Sequence, residues 1–128
     1  IESGVDILYA ERAGVVDAAR DKGILAFGNV NDMNKEENGK DVVVTSALWH
    51  MESAVAHAIS RVKAGTFSAE NYRDWTMMPK GGASLAPYHE FENRIPAKAK
   101  ATVEKLTAQI LTGSFTVDII DTEPKSSF

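Results

Sequence analysis

Short apolar runs separated by helical segments constrain the fold of this chain more than any other feature. Residues 24–27 read Ile-Leu-Ala-Phe and residues 42–45 read Val-Val-Val-Thr, and neither run alternates apolar with polar side chains. Strands of this kind belong to parallel sheets that are covered on both faces. Residues 12–22 and 49–64 show helical patterns, and each pattern is followed by a glycine that can end a helix. The sequence therefore predicts an α/β fold with a parallel sheet flanked by helices.

Further elements follow from the same kinds of signal. Residues 5–9 and 72–78 read as strands, residues 79–82 as a turn and residues 83–86 as a short extended piece. Pro96 occupies a position at which helices often start, and Gly113 marks the predicted end of that helix. Two helices carry apolar stripes, and we expect the stripe of the 49–64 helix to face the sheet. The stripes are Met51, Val55, Ala58, Ile59 and Val62 in the 49–64 helix, and Ala99, Val103, Leu106 and Ile110 in the last helix.

The two ends of the chain have their own patterns. Residues 1–4 read as the last turn of a helix that a glycine stops, so we expect the sequence to begin in mid-fold. The polar tail over residues 121–128 contains one proline and is expected to be loosely held.

Composition excludes several classes of function. The 128 residues are 44% hydrophobic and 25% charged, a balance typical of an ordinary globular domain. The net charge of −4 arises without a basic stripe, so nucleic acid is not an expected partner. No apolar run approaches the roughly 20 residues of a membrane-spanning helix. The absence of cysteine removes disulfides, thiolate nucleophiles and Cys-ligated zinc.

Candidate ligand-binding residues follow the predicted strands. Ligands of open parallel sheets bind beyond the carboxyl ends of the strands, where the loops supply the contacts. These loops offer a carboxylate, amides, a hydroxyl, cations and one large aromatic ring, a set that suits a flat, polar ligand. The candidates are Glu11 and Arg12 after the first strand, Asn29, Asn31 and Asp32 after the second, Ser46, Trp49 and His50 after the third, and Lys80 after the fourth.

Structural explanations compete with these roles. Asn29, Asn31 and Asp32 are also common turn residues, and a tryptophan at a helix start is ordinarily part of a core or of a hydrophobic staple. His89 and Glu90 are adjacent, but no nucleophile and no orienting third group accompany them. The three histidines lack the spacing of a metal site. The residues alone therefore favour neither an enzyme nor a metal or cofactor site.

The succession of motifs resembles a known family. In order, the chain reads GVDILYA, GVVDAARDKGILAFGNVNDM, VVVTSALWHMESAVAHAISRVKAGTF, GGASLAPYHEF and IPAKAKATVEKLTAQILTGSF. This order is similar to the C-terminal portion of the basic membrane lipoprotein family, from about residue 4 to residue 115. Members are substrate-binding proteins of ABC transporters with a fold similar to the type I periplasmic binding proteins.

The resemblance implies more than the residues alone. It implies an extracytoplasmic solute-binding protein of an ABC importer, anchored to the membrane by a lipid, that closes two lobes over a purine nucleoside or nucleobase and works with a permease. Residues 1–128 would then form a partial chain: the C-terminal lobe, which is truncated on its N-terminal side, with the returning hinge segment and the C-terminal helix. The N-terminal lobe would be absent. We expect no enzymatic activity and no cofactor.

The loops depart from the family pattern in ways that bear on the ligand. Where the family has Gly-x-Asp-x-Asp, this chain has Val30 at the first carboxylate, which weakens the case for ribose recognition. Thr45-Ser46 is kept, but Trp49 and His50 replace a lysine and an Asn or Asp, and the loop after the first strand is shortened. The lysine before the Gly-Gly turn is displaced to Lys80. Stacking surface in place of charge favours an uncharged planar ligand, a purine nucleobase or nucleoside.

Three further possibilities remain open at this stage. The same lobe architecture serves as the ligand-sensing domain of some transcription regulators, which also carry a DNA-binding helical module. A nucleoside-processing enzyme is a second and less favoured possibility. Because the first predicted strand would lie at an edge of the sheet, association between copies of this piece is also expected.

Overall fold

A four-stranded sheet forms the centre of the structure, a computed structural model that describes residues 4–118, 120 and 122. The strands lie in chain order, from β1 at one edge to β4 at the other. Short 3₁₀ turns fill the longer connections. The strands are β1 (Ile7–Tyr9), β2 (Leu25–Val30), β3 (Val43–Trp49) and β4 (Ala83–Leu85), and the helices are α1 (Val15–Lys22), α2 (Glu52–Lys63) and α3 (Ala97–Leu111).

The sheet is mixed. β1, β2 and β3 run parallel, with Leu8 opposite Ala26 and Gly28 opposite Ser46. β4 pairs with β3 in the antiparallel direction. The predicted α/β class and the three parallel strands are therefore confirmed, and the extended piece after the Gly-Gly turn adds an antiparallel edge strand.

Apolar packing is concentrated between α1 and the sheet. Ala19 of α1, Ala26 of β2 and Val42 are buried together, and Leu8, Val16 and Ile24 pack against them. Small side chains let α1 approach the strands closely. Arg20 reinforces this side, because its guanidinium donates to the carbonyl oxygens of Asn38 and Lys40 at 2.7–3.0 Å. The loop that follows β2 is thereby tied to α1.

The opposite face of the sheet is only partly covered. α3 lies over it and leaves an apolar groove of about 500 Å³, lined by Tyr9, Phe27 and Leu85 from the sheet and by Ala99 and Val103 from α3. No residue of α3 is fully buried. Ala99 and Val103 of the predicted stripe thus face the sheet across a gap.

The apolar stripe of α2 does not face the sheet, so this prediction is wrong. Met51, Val55, Ile59 and Val62 are 49–61% exposed. α2 packs through another side, where the His57 ring stacks on Trp75 with centroids 4.2 Å apart and its Nε2 lies 2.7 Å from a Glu70 carboxylate oxygen. Helical periodicity identifies an amphipathic face but does not specify which element covers it.

The predicted strand over residues 72–78 is also wrong. Tyr72–Thr76 forms a 3₁₀ turn, and the Asn71 side chain caps it by accepting a hydrogen bond from the Arg73 backbone NH at 2.9 Å. A second 3₁₀ turn, Met78–Lys80, follows directly. The cap and the stacking of Trp75 on α2 outweigh the aromatic content that suggested a strand.

The glycine stops are confirmed. Gly23, Gly65 and Gly113 follow α1, α2 and α3 with φ values of 65°, 67° and 72°, a region that glycine enters without steric cost. Within the described part of the chain, no helix is long and apolar enough to span a membrane. The predictions for residues 1–3 and for most of the tail, residue 121 and residues 123–128, fall outside the described residues.

The loop between β2 and β3 is folded tightly on itself. Gly39 is buried, and a Cβ added there would lie 1.6 Å from the Met33 carbonyl oxygen. The φ of Gly39 is not in the left-handed region, so the requirement for glycine at this position is one of space.

A methyl group at Gly39 should therefore destabilise the protein. Because the atom in the way is backbone, it cannot rotate aside, and we expect Gly39→Ala to lower the free energy of unfolding by about 1–3 kcal/mol. Urea denaturation monitored by circular dichroism measures the change. Glu37→Ala, an exposed position in the same loop, is the matched control. Equal stabilities of the two variants would contradict the close packing of this loop.

Candidate functional site

All four predicted loops lie at the end of the sheet where β1, β2 and β3 finish, which we call the carboxyl edge. The carboxyl ends of β1, β2 and β3 lie side by side because these strands are parallel. β4 runs the other way, so the Gly-Gly turn before it reaches the same edge, where the His50 backbone NH donates to the Gly82 carbonyl at 2.9 Å. The predicted convergence is confirmed, although the last loop arrives there through an antiparallel strand.

Trp49 is the exposed aromatic surface at this edge. It is the last residue of β3, pairs with Ala83 and is 56% exposed. The prediction placed it at the start of a helix, but α2 begins only at Glu52. A strand position holds the indole on the sheet, because the backbone of Trp49 is paired with β4.

Asn29 lies on the same face of the sheet as Trp49. It pairs with Ala47, two residues before Trp49, and strand geometry then puts the two Cα atoms about 8 Å apart. Asn29 is 5% exposed, and its Oδ1 has no hydrogen-bond partner among the residues that the structure describes. A buried acceptor without a partner costs about 1–3 kcal/mol, which a donor from a ligand would recover.

Asn31 and Asp32 are engaged within the protein. The Asn31 amide donates to a Glu36 carboxylate oxygen at 2.5 Å. Both carboxylate oxygens of Asp32 lie 3.0–3.1 Å from Nε2 of His89, and Lys35 approaches one of them at 3.2 Å. Asp32 keeps acceptor capacity, because an ionised carboxylate offers about four lone-pair sites.

Glu11, Arg12 and Lys80 lie at the surface. Glu11 and Arg12 form an ion pair of 3.1 Å whose side chains are 56% and 83% exposed, so water screens it and it holds neither group firmly. Lys80 Nζ lies 5.2 Å from the centroid of the Trp75 ring, a cation–π contact. Their described ionic and ring contacts are with one another and with Trp75.

Ser46 and His50 support the edge from within. Ser46 is fully buried, and its Oγ accepts a hydrogen bond from the Met33 backbone NH at 3.1 Å. A ligand could touch Ser46 only after this loop moved, so its observed role is structural. His50 Nε2 lies 2.7 Å from Ser84 Oγ, which fixes the imidazole against β4. Ligand contacts by all nine candidates stay predictions.

Sequence reasoning missed the residues that hold the loop after β2. Asn34 is buried, and its amide donates to the Val43 carbonyl and to Glu90 Oε1, both at 2.9 Å. The same Glu90 oxygen accepts from the Asp41 backbone NH at 2.6 Å. The His89-Glu90 pair thus fastens the loop. Glu90 lies 56 residues from Asn34 and 49 residues from Asp41, so no pattern among neighbouring residues predicts these contacts.

The pKa of Glu90 lies below its ordinary value. Desolvation opposes this shift by penalising the carboxylate. Hydrogen bonds from the backbone NH groups of Asp41 and Glu90 and from Asn34, together with attraction to His89, outweigh it. Within the described residues, no group of three or more acidic or histidine side chains is arranged to hold a metal ion.

Known proteins resemble this chain in sequence and in fold. A purine-binding protein of Brucella abortus is 29% identical over 118 residues, which cover 88% of this chain and 31% of that protein. The sequence matches no protein-family model. The chain spans about a third of the length of the Brucella abortus protein.

Two solved structures share the fold. A transcriptional activator of the comK gene from Bacillus halodurans superposes with a TM-score of 0.64 at 19% identity, over 89% of this chain and 39% of that one. A solute-binding protein of an ABC transporter system from Conexibacter woesei gives 0.56 at 18% identity, over 91% and 38%. The α/β fold is therefore shared with a solute-binding protein and with a transcriptional activator, and the sequence is similar to that of a purine-binding protein.

Loss of the Glu90 charge should destabilise the protein in a pH-dependent way. A carboxylate whose pKa is lowered by folding stabilises the native state above its unfolded pKa of about 4.3, and this contribution disappears as the pH falls through the folded value. We expect Glu90→Gln to lower the melting temperature at neutral pH, with the difference from wild type shrinking below about pH 4. Thermal melts across this range measure it.

Glu104→Gln, on the exposed surface of α3, is the control for the loss of one negative charge. A pH-independent difference between Glu90→Gln and wild type would show that the carboxylate charge does not stabilise the loop.

Proposed function

We propose that this chain is part of a solute-binding protein of an ABC importer and that the carboxyl edge of its sheet binds a purine nucleobase or nucleoside. One observation carries the proposal: the exposed indole of Trp49 lies on the same sheet face as the buried Asn29 Oδ1, an acceptor with no hydrogen-bond partner in the described part of the chain. A flat ring with N–H donors on its edge complements both features. The sequence relationship to a purine-binding protein supports this ligand class.

The charges at the edge favour an uncharged ligand. Asp32 is paired with Lys35 and His89, and Glu11 is paired with Arg12. Val30 removes the carboxylate that would accept from ribose hydroxyls in the resembling family. Stacking on Trp49 then contributes most of the affinity. The side chains of Asn29, Asn31 and Asp32 select ligands by the donors and acceptors on the edge of the ring.

The proposed whole protein has two lobes. In this proposal it belongs to the basic membrane lipoprotein family, residues 1–128 form the C-terminal lobe with a returning hinge segment and the C-terminal helix, and a ligand is gripped between this lobe and an N-terminal one. The chain spans 31–39% of the three proteins it resembles, which supports a further lobe in them. A lipid anchor outside the cytoplasmic membrane and a permease partner complete the proposal.

Binding without chemical conversion follows from the same reasoning. In this proposal the site stacks a ring and satisfies its polar edge, and the side chains serve recognition. Closure of two lobes over the ligand would instead shift an equilibrium between open and closed forms.

Removal of the Trp49 ring should weaken purine binding. Stacking of a base on an aromatic side chain contributes about 1–3 kcal/mol, so we expect Trp49→Ala to lose that amount in calorimetric titrations of the intact protein with adenine or guanosine. Phe67→Ala, another exposed aromatic residue, should bind like wild type. Unchanged affinity in Trp49→Ala would remove Trp49 from the site, and no binding of any purine to wild type would overturn the ligand class.

A second candidate function is ligand sensing by a transcription regulator. The observation that favours it is the fold similarity to the transcriptional activator, which has a higher TM-score than the solute-binding protein. The two candidates differ in where the intact protein works. Membrane fractionation that places it outside the cytoplasmic membrane, with purine uptake lost on deletion, supports transport. Specific DNA binding that responds to purines supports regulation instead.

A further inference from the structure

His89 and Asp32 form a long-range contact within the candidate site. His89 Nε2 lies 3.0 and 3.1 Å from the two carboxylate oxygens, across 57 residues of sequence. The side chains are only 21% and 15% exposed, so water competes weakly for the bond. Asp32 is the residue at which the chain turns from β2 into the 3₁₀ turn Met33–Lys35. The contact therefore holds the loop where it leaves the sheet.

The backbone of His89 indicates that this contact is imposed. Its φ is 47°, in the left-handed region that non-glycine residues seldom occupy. Such a conformation persists only where the surroundings determine it. The neighbouring Glu90 supplies that constraint through its bonds to Asn34 and to the Asp41 backbone. The segment that carries His89 and Glu90 is thus bound to the loop between β2 and β3, and it places the imidazole next to the Asp32 carboxylate.

Charged residues lie on the elements around His89. Asp32 bonds the imidazole from the loop, and Lys35 lies 3.2 Å from the same carboxylate. Glu90 and Glu92 follow His89 on its own segment. Glu104 of α3 lines the same groove as His89, together with Tyr88 and Glu92. A change in the charge of His89 acts first on Asp32, because Asp32 is hydrogen-bonded to it.

We propose that His89 is a positioning residue of the binding site, which fixes Asp32 and the loop from residue 31 to residue 41. This inference rests on the proposed function. The Nε2–H of the imidazole donates to the Asp32 carboxylate, which keeps lone pairs free to accept from a ligand N–H.

Two variants of His89 separate positioning from mere packing. The side-chain amide of Gln can donate from nearly the same place as Nε2, whereas Leu fills space without a donor. We expect purine affinity to be kept in His89→Gln and to fall about fivefold in His89→Leu.

The measurements are calorimetric titrations with adenine on the intact protein, and amide hydrogen exchange of residues 31–41 without ligand. Faster exchange in His89→Leu, with exchange restored in His89→Gln, is the expected ligand-free result. Adenine binding with the same affinity in all three proteins overturns the role of His89 alone. If wild type binds no purine, the proposed function fails, and exchange that is equal in the three proteins then overturns the positioning role as well.

Discussion

The buried amide of Asn34 holds together the parts of the structure on which the candidate site depends. It joins the loop after β2 to the start of β3 through the Val43 carbonyl and to the segment before α3 through Glu90. The buried Asn34 amide and Val43 carbonyl would be costly to leave without a partner. The loop from β2 to β3 is therefore held in place, and Asn31 and Asp32 lie on this loop.

The edge of the sheet combines rigid and mobile groups. Trp49 and Asn29 lie within paired strands, and Ser46 and His50 are fixed by hydrogen bonds to neighbouring elements. Glu11, Arg12 and Lys80 are exposed and are held only by screened charge or ring contacts. A ligand would meet a preformed apolar wall and buried acceptors first, and long charged side chains that can adapt to it second. Preorganised groups of this kind lose little conformational entropy on binding.

Sequence patterns predicted the central fold and the convergence of the loops at one end of the sheet because both depend on local signals. Non-alternating apolar runs indicated parallel strands, glycines marked the helix ends, and strand direction put the loops at one edge. The 72–78 strand failed because an Asn71 cap and a stacking contact between His57 and Trp75 decide that region. The orientation of α2 failed because periodicity carries no information about the partner.

The candidate site was predictable as a set of loops but not as a set of contacts. Three features depend on residues far apart in sequence: the burial of Ser46, the burial of the Asn29 amide oxygen, and the bond between His89 and Asp32. The two departures from the family pattern that matter most, Val30 and Trp49, were visible from residue types alone. The positions of these two residues relative to each other depend on the register between β2 and β3, which the residue types alone do not give.

The contrasting environments of the two tryptophans also make the protein its own optical reporter. Trp75 is half-buried and stacked on the His57 ring, whereas Trp49 is 56% exposed at the end of β3. The emission of Trp49 should therefore have the long-wavelength maximum of a hydrated indole. Any molecule that covers this ring would shift the emission to shorter wavelength or quench it, so events at the sheet edge can be followed without a label.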